Sequence, residues 1–305
     1  MIAVPHRILV TGAAGFVGGW LLGALPPGAR VAAPSIDVRD EAAVDALVRE
    51  LQPTGVVHLA ALSHVQESRG RARETFDVNL TGTMVLAEAV LRYAPAARFL
   101  FVGSSEAYGG TFNAWSRALD ESAPLDPANP YAASKAAADV LIGQMARDGL
   151  QAVRFRPFNH TGPGQSPRFA VPAFAQQIAR IERGLQEPEL RTGNLEPLRD
   201  FLDVRDVVAA YVAALTRPEP LAAGTIVNLA SGVPRRIGDI LRDLCALARA
   251  PVRVVPDPAR MRPNDTPLAA GDAARARELL GWRPRIAWSQ TLADVLEAAR
   301  EASAA

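Results

Sequence analysis

The segment YAASK at residues 131–135 places a tyrosine and a lysine four residues apart, so that on a helix both side chains lie on one face. A phenol with its ordinary pKa of about 10 donates protons poorly at neutral pH. An adjacent cation lowers that pKa toward the range that acid–base catalysis requires. Ser104 follows an apolar run, where its hydroxyl can hydrogen-bond a carbonyl oxygen. We predict that Ser104, Tyr131 and Lys135 form a proton-transferring set.

Lys135 is the only lysine among the 33 lysine and arginine residues of the chain. Its retention is either chance or a sign that this position requires a compact, rotatable ammonium, which a planar guanidinium does not replace. Such an ammonium can also hydrogen-bond the hydroxyls of a ribose. The second interpretation predicts a nucleotide beside Tyr131.

A glycine-rich turn, TGAAGFVG at residues 11–18, follows the first predicted strand and opens a helix. Its glycines let the backbone turn tightly and approach a pyrophosphate, which the helix N-terminus then stabilises. The spacing is GxxGxxG rather than the commoner GxGxxG. The predicted cofactor contacts of this turn are Gly12, Ala14, Gly15, Phe16 and Val17.

The adenosine end of the predicted cofactor site is less specific. Asp37 and Val38 follow the second predicted strand, and Leu59, Ala60 and Ala61 follow the third, where they would line the adenine and pyrophosphate. Neither an acidic residue nor an arginine ends the second strand, so the sequence leaves NADPH and NADH both open.

Short apolar runs alternate with helical periodicity, which is typical of βαβ units around a parallel sheet. The predicted class is α/β: a Rossmann-like, doubly wound parallel sheet with a smaller C-terminal substrate-binding lobe. Predicted strands cover residues 7–10, 30–33, 55–59, 98–102, 152–155 and 225–229. Predicted helices cover 15–25, 41–50, 75–93, 131–147, 172–182, 203–215 and 237–248. We assign 1–159, with returning segments at about 203–249, to the dinucleotide-binding domain, and 160–202 and 250–305 to the nucleotide-sugar-binding lobe.

The composition excludes several classes of protein. With 305 residues, 49% of them hydrophobic and a net charge of +1, the chain is too apolar for disorder and lacks the basic excess of a nucleic-acid or anionic-membrane binder. Its single cysteine, Cys245, forms no internal disulfide, and no Cys/His cluster has zinc spacing. We found neither a signal peptide nor a membrane-length apolar run, and expect a soluble cytoplasmic protein without a metal.

The motifs TGAAGFVG, HLAA, VNLTGT, GSSEAYG and YAASK resemble those of extended short-chain dehydrogenase/reductases that act on nucleotide sugars. The resemblance covers nearly the whole chain, and it implies that Ser104, Tyr131 and Lys135 are the catalytic triad. In the second half, RPFNHTGPGQSP, TGNLEPLRDFLDVRD, MRPNDTP and GWRPRI are similar to GDP-6-deoxy-4-keto-D-mannose reductases, which form GDP-D-rhamnose.

That similarity implies a set of substrate contacts. Asn159 would touch the diphosphate region, Arg199 and Arg262 would neutralise the diphosphate, and Asp265 would hold ribose hydroxyls. The forked guanidinium suits phosphate oxygens. We also place Ser105, His64 and His160 beside the sugar, with a hydrogen-bonded structural role as the alternative for each histidine.

The expected reaction is hydride transfer from NADPH or NADH to the C4 ketone of a GDP-linked 4-keto-6-deoxy sugar, with Tyr131 donating the proton. Glu106 keeps a second enzyme open, because nucleotide-sugar 4,6-dehydratases use a glutamate at this place in the turn. A 4-epimerase and a non-catalytic dinucleotide-binding module are further alternatives. The resemblance also implies a homodimer with a four-helix interface formed by helices 75–93 and 131–147.

Overall fold

The computed structural model describes residues 6–115, 117–261 and 266–304. Its strands are β1 (Arg7–Thr11), β2 (Arg30–Ala32), β3 (Gly55–His58), β4 (Arg98–Val102), β5 (Ala152–Pro157), β6 (Asn159–Thr161), β7 (Glu189–Thr192), β8 (Leu198–Asp203), β9 (Thr225–Leu229), β10 (Pro234–Arg236), β11 (Arg253–Pro256) and β12 (Leu268–Ala269). Its α-helices are α1 (Phe16–Ala24), α2 (Glu41–Leu51), α3 (Val65–Gly70), α4 (Ala72–Phe76), α5 (Gly82–Tyr93), α6 (Thr111–Ala114), α7 (Pro130–Arg147), α8 (Ala170–Glu182), α9 (Val204–Thr216), α10 (Ile237–Ala246), α11 (Ala274–Leu280) and α12 (Trp288–Ala302).

The central sheet has six parallel strands in the order β2-β1-β3-β4-β5-β9. Successive residues of its inner strands are buried on opposite faces. Ile8 and Val10 join an apolar cluster with α1 and α9, whereas Leu9 joins one with α2, α5 and α7. Apolar strands of this kind suit a sheet covered by helices on both sides. The predicted doubly wound α/β class is confirmed.

A third apolar cluster lies outside the central sheet. It joins α8, α10 and α12 to Phe201 of β8 and Leu190 of β7. Strand β8 pairs with β6, β10 and β12, and β7 pairs with β11. We assigned the helix predicted at 237–248 to the dinucleotide-binding segments. In the structure this helix is α10, and it packs in the third cluster because its buried Ile240, Leu241 and Leu244 belong to that cluster.

The helix predicted at 75–93 is divided in the structure. A π-helical turn, Asp77–Thr81, separates α4 from α5. Asn79 in this turn is fully buried, and its amide contacts the backbone of Leu62 and the hydroxyl of Ser134. Turns of this kind are frequent at functional sites.

None of the helices in the described parts of the chain combines the length and the apolar character needed to cross a membrane.

Candidate functional site

The glycine-rich turn packs closely against the residues after β3. Gly12 has a φ of +70°, and a Cβ there would lie 2.6 Å from the backbone nitrogen of Ala60 and 2.8 Å from the carbonyl carbon of Leu59. A Cβ on Gly18 would collide with the backbone of Ala13. The turn closes with a hydrogen bond from the Gly15 N–H to the Gly12 carbonyl at 3.0 Å. Only glycine fits at the two crowded positions.

The glycine-rich turn leads directly into the N-terminus of α1, where no side chain of the described residues accepts from the first N–H groups. Gly15 is the N-cap, no side chain caps the helix among the described residues, and its first turn has no acidic residue. Ala14 and Gly15 are exposed, and Phe16 and Val17 are half-buried. The free N–H groups and the helix dipole favour an anion. The predicted residues therefore fit a dinucleotide pyrophosphate.

Asp37 and Val38 differ in their surroundings. Val38 is buried against α5, where a Cβ on Gly82 would collide with its side chain. Asp37 is half-exposed and accepts from Arg39, with Nη2 2.6 Å from Oδ2 and Nε 2.9 Å from Oδ1. These hydrogen bonds lower the pKa of Asp37 to about 2. Arg39 was not among the predicted cofactor residues, although its spacing of two from Asp37 is a signal for this ion pair.

Tyr131 and Lys135 lie in the first turns of α7, at the carboxyl end of β4. Asn129 caps the helix by accepting from the Ala132 N–H at 2.8 Å, with proline next in the chain. The Tyr131 and Lys135 side chains are both buried, with exposures of 9% and 4%. The Lys135 ammonium donates to the Val102 carbonyl at 2.7 Å and lies 5.4 Å from the ring centroid of Phe101.

Burial determines how these two groups titrate. It raises the pKa of Tyr131 to about 12, an effect that a hydrogen bond with Ser104 opposes and the nearby Glu106 reinforces. Burial also lowers the pKa of Lys135 to about 8. The expected lowering of the tyrosine pKa is therefore wrong for this structure, because desolvation dominates and the ammonium is directed at the Val102 carbonyl.

A short 3-10 turn, Ser105–Tyr108, follows β4; Ser104 is its N-cap, and Ser105 and Glu106 are its first two residues. The Ser104 hydroxyl accepts from the Glu106 N–H at 3.2 Å, and both serines are buried. The Asn129 amide lies 3.5 Å from Oε2 of Glu106. The turn thus brings Ser104 to Tyr131 and places Glu106 beside them.

A buried polar network that was not predicted from the sequence supports this turn. Tyr108 donates to the Asn228 amide oxygen at 2.8 Å and accepts from Arg156 at 3.1 Å. Arg156 forms a bidentate ion pair with Asp139 at 2.8 and 2.9 Å. Asp139 lies one helical turn beyond Lys135. The network therefore connects the turn that follows Ser104 to α7, through Arg156 of β5 and Asn228 of β9.

The predicted substrate residues fall into separate places. Asn159 and His160 lie on β6, where the half-buried His160 ring stacks on Phe16 with centroids 6.4 Å apart and its Nδ1 lies 3.0 Å from the Phe158 carbonyl. Burial lowers the pKa of His160.

Arg199 lies on β8 and donates to the Thr266 carbonyl at 2.6 Å. Arg262 and Asp265 lie outside the described residues.

His64 makes the contacts of a hydrogen-bonded structural residue, which was the alternative to a place beside the sugar. Its Nδ1 accepts from the Glu67 N–H at 3.4 Å and so caps α3, and its Nε2 lies 3.3 Å from the Arg168 carbonyl. The ring packs edge-on against Phe169, with centroids 5.7 Å apart. Arg168 and Glu67 form an ion pair at 2.9 Å. This cluster joins α3 to the segment before α8.

Comparisons with known proteins agree on one group of enzymes. A family model described as GDP-mannose 4,6 dehydratase matches residues 26–295. GDP-6-deoxy-D-mannose reductase of Pseudomonas aeruginosa is 36% identical over 299 residues, which cover 96% of this chain and 97% of that protein. The structure of RMD from Pseudomonas aeruginosa complexed with NADPH superposes with a TM-score of 0.87 at 33% identity, covering 97% of this chain and 99% of that one. UDP-glucose 4-epimerase of Thermus thermophilus, in complex with NAD, has a TM-score of 0.84 at 28% identity, covering 97% and 99%.

Proposed function

This chain belongs to the GDP-mannose 4,6-dehydratase family, and from that premise we propose that it reduces the C4 ketone of GDP-4-dehydro-6-deoxy-D-mannose to give GDP-D-rhamnose. The observation that carries the proposal is the 36% identity to a GDP-6-deoxy-D-mannose reductase, which extends over nearly the full length of both chains. The buried pair Tyr131 and Lys135, with Ser104 beside them, provides acid–base chemistry suited to a ketone.

The cofactor of the proposed reaction is NADPH or NADH. Its pyrophosphate would lie on the glycine-rich turn and the N-terminus of α1, and Lys135 would hold the nicotinamide ribose. The residues proposed to surround the rest of the cofactor are Asp37, Val38, Leu59, Ala60 and Ala61. When bound, the reduced nicotinamide supplies the hydride that C4 accepts.

Tyr131 supplies the proton in the proposed mechanism. Burial keeps the phenol protonated at neutral pH, so the acid form is ready when the C4 oxygen gains negative charge. Ser104, whose hydroxyl opposes the rise in the pKa of Tyr131, orients the carbonyl oxygen in this mechanism. The Lys135 ammonium, which donates to the Val102 carbonyl, contributes by binding the nicotinamide ribose rather than by lowering the pKa of Tyr131.

The substrate contacts remain proposals from the family pattern. Asn159 and Arg199 would bind the diphosphate, together with Arg262, and Asp265 would accept from ribose hydroxyls. Ser105 and His160 would lie beside the sugar, whereas we assign His64 to holding α3 against the segment before α8. We also retain the two-part division of the chain, with α10 moved to the substrate-binding lobe.

Replacing Tyr131 with phenylalanine tests the mechanism. Tyr131→Phe removes the proton donor but none of the proposed phosphate contacts, so we expect intact GDP binding and loss of turnover by at least about a hundredfold. The assay follows oxidation of NADPH or NADH with GDP-4-dehydro-6-deoxy-D-mannose, and NMR identifies the product sugar. Near-normal turnover by the variant would remove Tyr131 from the reaction.

A second candidate is GDP-mannose 4,6-dehydratase, which the family description and the position of Glu106 beside Tyr131 favour. GDP-mannose alone distinguishes the two enzymes. A 4-keto-6-deoxy product formed without added reduced cofactor would establish the dehydratase and contradict the reductase. A 4-epimerase, like the dehydratase and unlike the reductase, would leave the total amount of reduced cofactor unchanged.

We propose that the protein is a homodimer whose interface is a four-helix bundle of α5 and α7 from each subunit. Val140 of α7 is 62% exposed, and Ala133, Ala137 and Leu141 are half-buried on the same helix. Small and apolar residues at these positions allow close approach of a second helix.

A further inference from the structure

His58, the last residue of β3, is buried between two hydroxyl groups. It is 1% exposed, its Nδ1 lies 2.7 Å from Oγ1 of Thr11, and its Nε2 lies 2.9 Å from Oγ1 of Thr83. The ring packs against Phe99 and Phe101, with centroids 6.3 and 6.5 Å away. Neither the proposed acid–base chemistry nor the proposed substrate contacts use this side chain.

The hydrogen bonds determine which nitrogen carries the proton. The Thr83 hydroxyl donates to the Asn79 carbonyl at 2.6 Å. Because a hydroxyl has one hydrogen, Thr83 must accept from His58, and Nε2 is therefore protonated. Burial lowers the pKa of His58 to about 3, so the ring is neutral and its Nδ1 accepts from Thr11. Thr11 in turn accepts from the Ala60 N–H at 3.4 Å.

These bonds form a chain that runs in one direction, from the Ala60 N–H through Thr11, His58 and Thr83 to the carbonyl of Asn79. Every member is a donor to the next, an arrangement in which hydrogen bonds strengthen one another. At one end, Ala60 lies against Gly12 of the glycine-rich turn.

The other end of the chain leads to the proton donor. The Asn79 amide donates to Oγ of Ser134 at 2.9 Å, and Ser134 donates to the Tyr131 carbonyl at 2.8 Å. Asn79 also accepts from the Leu62 N–H at 2.8 Å. A continuous buried path thus joins the turn proposed for the cofactor to the helical turn that carries Tyr131.

We propose that His58 is a positioning residue: as the neutral Nε2–H form, it keeps the glycine-rich turn and the first turn of α7 at a fixed distance and orientation. The inference rests on the proposed ketone reduction, because its consequence is the alignment of Tyr131 with the cofactor. Small errors in such alignment reduce turnover strongly.

The sharpest variants change one hydroxyl. Thr83→Val keeps the side-chain shape but leaves the Nε2–H of His58 without an acceptor, whereas Thr83→Ser keeps the acceptor. We expect Thr83→Val to lower kcat about tenfold or more with a smaller change in KM for the GDP sugar, and Thr83→Ser to restore most of kcat. His58→Leu, which breaks the chain in the middle, should act in the same direction.

Thr216→Val is the matched control. Thr216 on α9 also donates its hydroxyl to the carbonyl four residues earlier, that of Val212 at 2.8 Å, and the described contacts of this hydroxyl include no histidine. We expect kcat of Thr216→Val within about twofold of wild type. An equal loss of kcat in Thr216→Val and Thr83→Val would assign the effect to general destabilisation and overturn the proposal.

The tautomer provides a readout that does not need turnover. Nitrogen-15 NMR of histidine-labelled protein should show His58 with Nε2 protonated and Nδ1 unprotonated, and Thr83→Val should perturb the Nε2 signal. An Nδ1–H tautomer, or a protonated ring near neutral pH, would overturn the proposal, as would unchanged kcat in both Thr83→Val and His58→Leu. A wild-type protein that shows the Nε2–H form and binds NADPH but does not reduce the GDP sugar would contradict the proposed function separately.

Discussion

At the scale of single residues, the environment of Lys135 limits which cation can occupy its place. The ammonium is buried against the Val102 carbonyl and the ring of Phe101. A guanidinium is larger, and its five N–H donors would need more acceptors than this carbonyl supplies. The uniqueness of the lysine in an arginine-rich chain is consistent with this constraint.

Lys135→Arg should therefore lower turnover by about a hundredfold or more, although the formal charge is kept. Steady-state kinetics with the GDP sugar measures the loss, and circular dichroism checks that the variant is folded. Lys135→Met, which removes the charge, is the comparison and should be equally impaired. Retained activity in Lys135→Arg would show that the position requires only a positive charge.

The acid–base state of the same residue predicts a pH dependence. Burial lowers the pKa of Lys135 from 10.5 to about 8, so the ammonium is present below this value and is lost as the pH rises through it. The pKa of Tyr131, raised to about 12, keeps the phenol protonated over this range. We expect kcat/KM to fall as the pH rises through about 8. A profile that stays flat to the ordinary lysine pKa of 10.5 would contradict this assignment.

At the scale of elements, a buried arginine joins the start of β4 to the end of α9. The Arg98 guanidinium donates to the carbonyls of Leu215 at 2.7 Å, Arg217 at 2.5 Å and Pro218 at 3.3 Å. The Leu215 carbonyl belongs to the last turn of α9, whose carbonyls have no partners within the helix, and a cation at this end also interacts favourably with the helix dipole.

Arg98→Met should lower the free energy of unfolding by about 2 kcal/mol, because buried carbonyls lose charge-assisted hydrogen bonds. Urea denaturation followed by circular dichroism measures the change. Arg147→Met, at the exposed end of α7, is the matched control and should change stability by less than about 0.5 kcal/mol. Equal stability of Arg98→Met and wild type would show that Arg98 does not stabilise the end of α9.

Elements stabilised by local patterns were predictable, and those stabilised by distant contacts were not. The sequence predicted β4 with its observed bounds because it is a continuous apolar run. The π turn was missed because the residues holding it, Leu62 and Ser134, lie 17 and 55 positions from Asn79. Strand β8 was missed because its segment, LRDFLD, contains Arg199, Asp200 and Asp203 and so shows neither a continuous apolar run nor a regular alternation.

The candidate site shows the same limit. The glycine-rich turn and the Tyr131–Lys135 spacing are local signals, so they could be read from the sequence. The direction of the Lys135 ammonium and the network around Arg156 depend on side chains from separate elements. No short segment of sequence contains that information.

At the scale of the whole molecule, the proposed four-helix interface makes a prediction about assembly. Val140→Asp places a charge at the most exposed apolar position of α7, so a dimer formed by this face should dissociate. Light scattering after size exclusion gives the mass. Val254→Asp, at an exposed position on β11, is the control and should leave the mass unchanged. A dimeric Val140→Asp protein would place the interface elsewhere.

Because of the π turn at Asp77–Thr81, the geometry of the site depends on how many residues this segment contains. A π turn accommodates an additional residue compared with an α-helical turn. Deleting one residue here would permit a regular helix in which α4 and α5 keep nearly the faces that they now present, because the wide turn absorbs the additional residue. What the deletion would remove is the place of Asn79, whose amide contacts the backbone of Leu62 and the hydroxyl of Ser134. A one-residue deletion in this segment should therefore preserve the packing of the two helices and still disconnect α7 from the segment at Leu62.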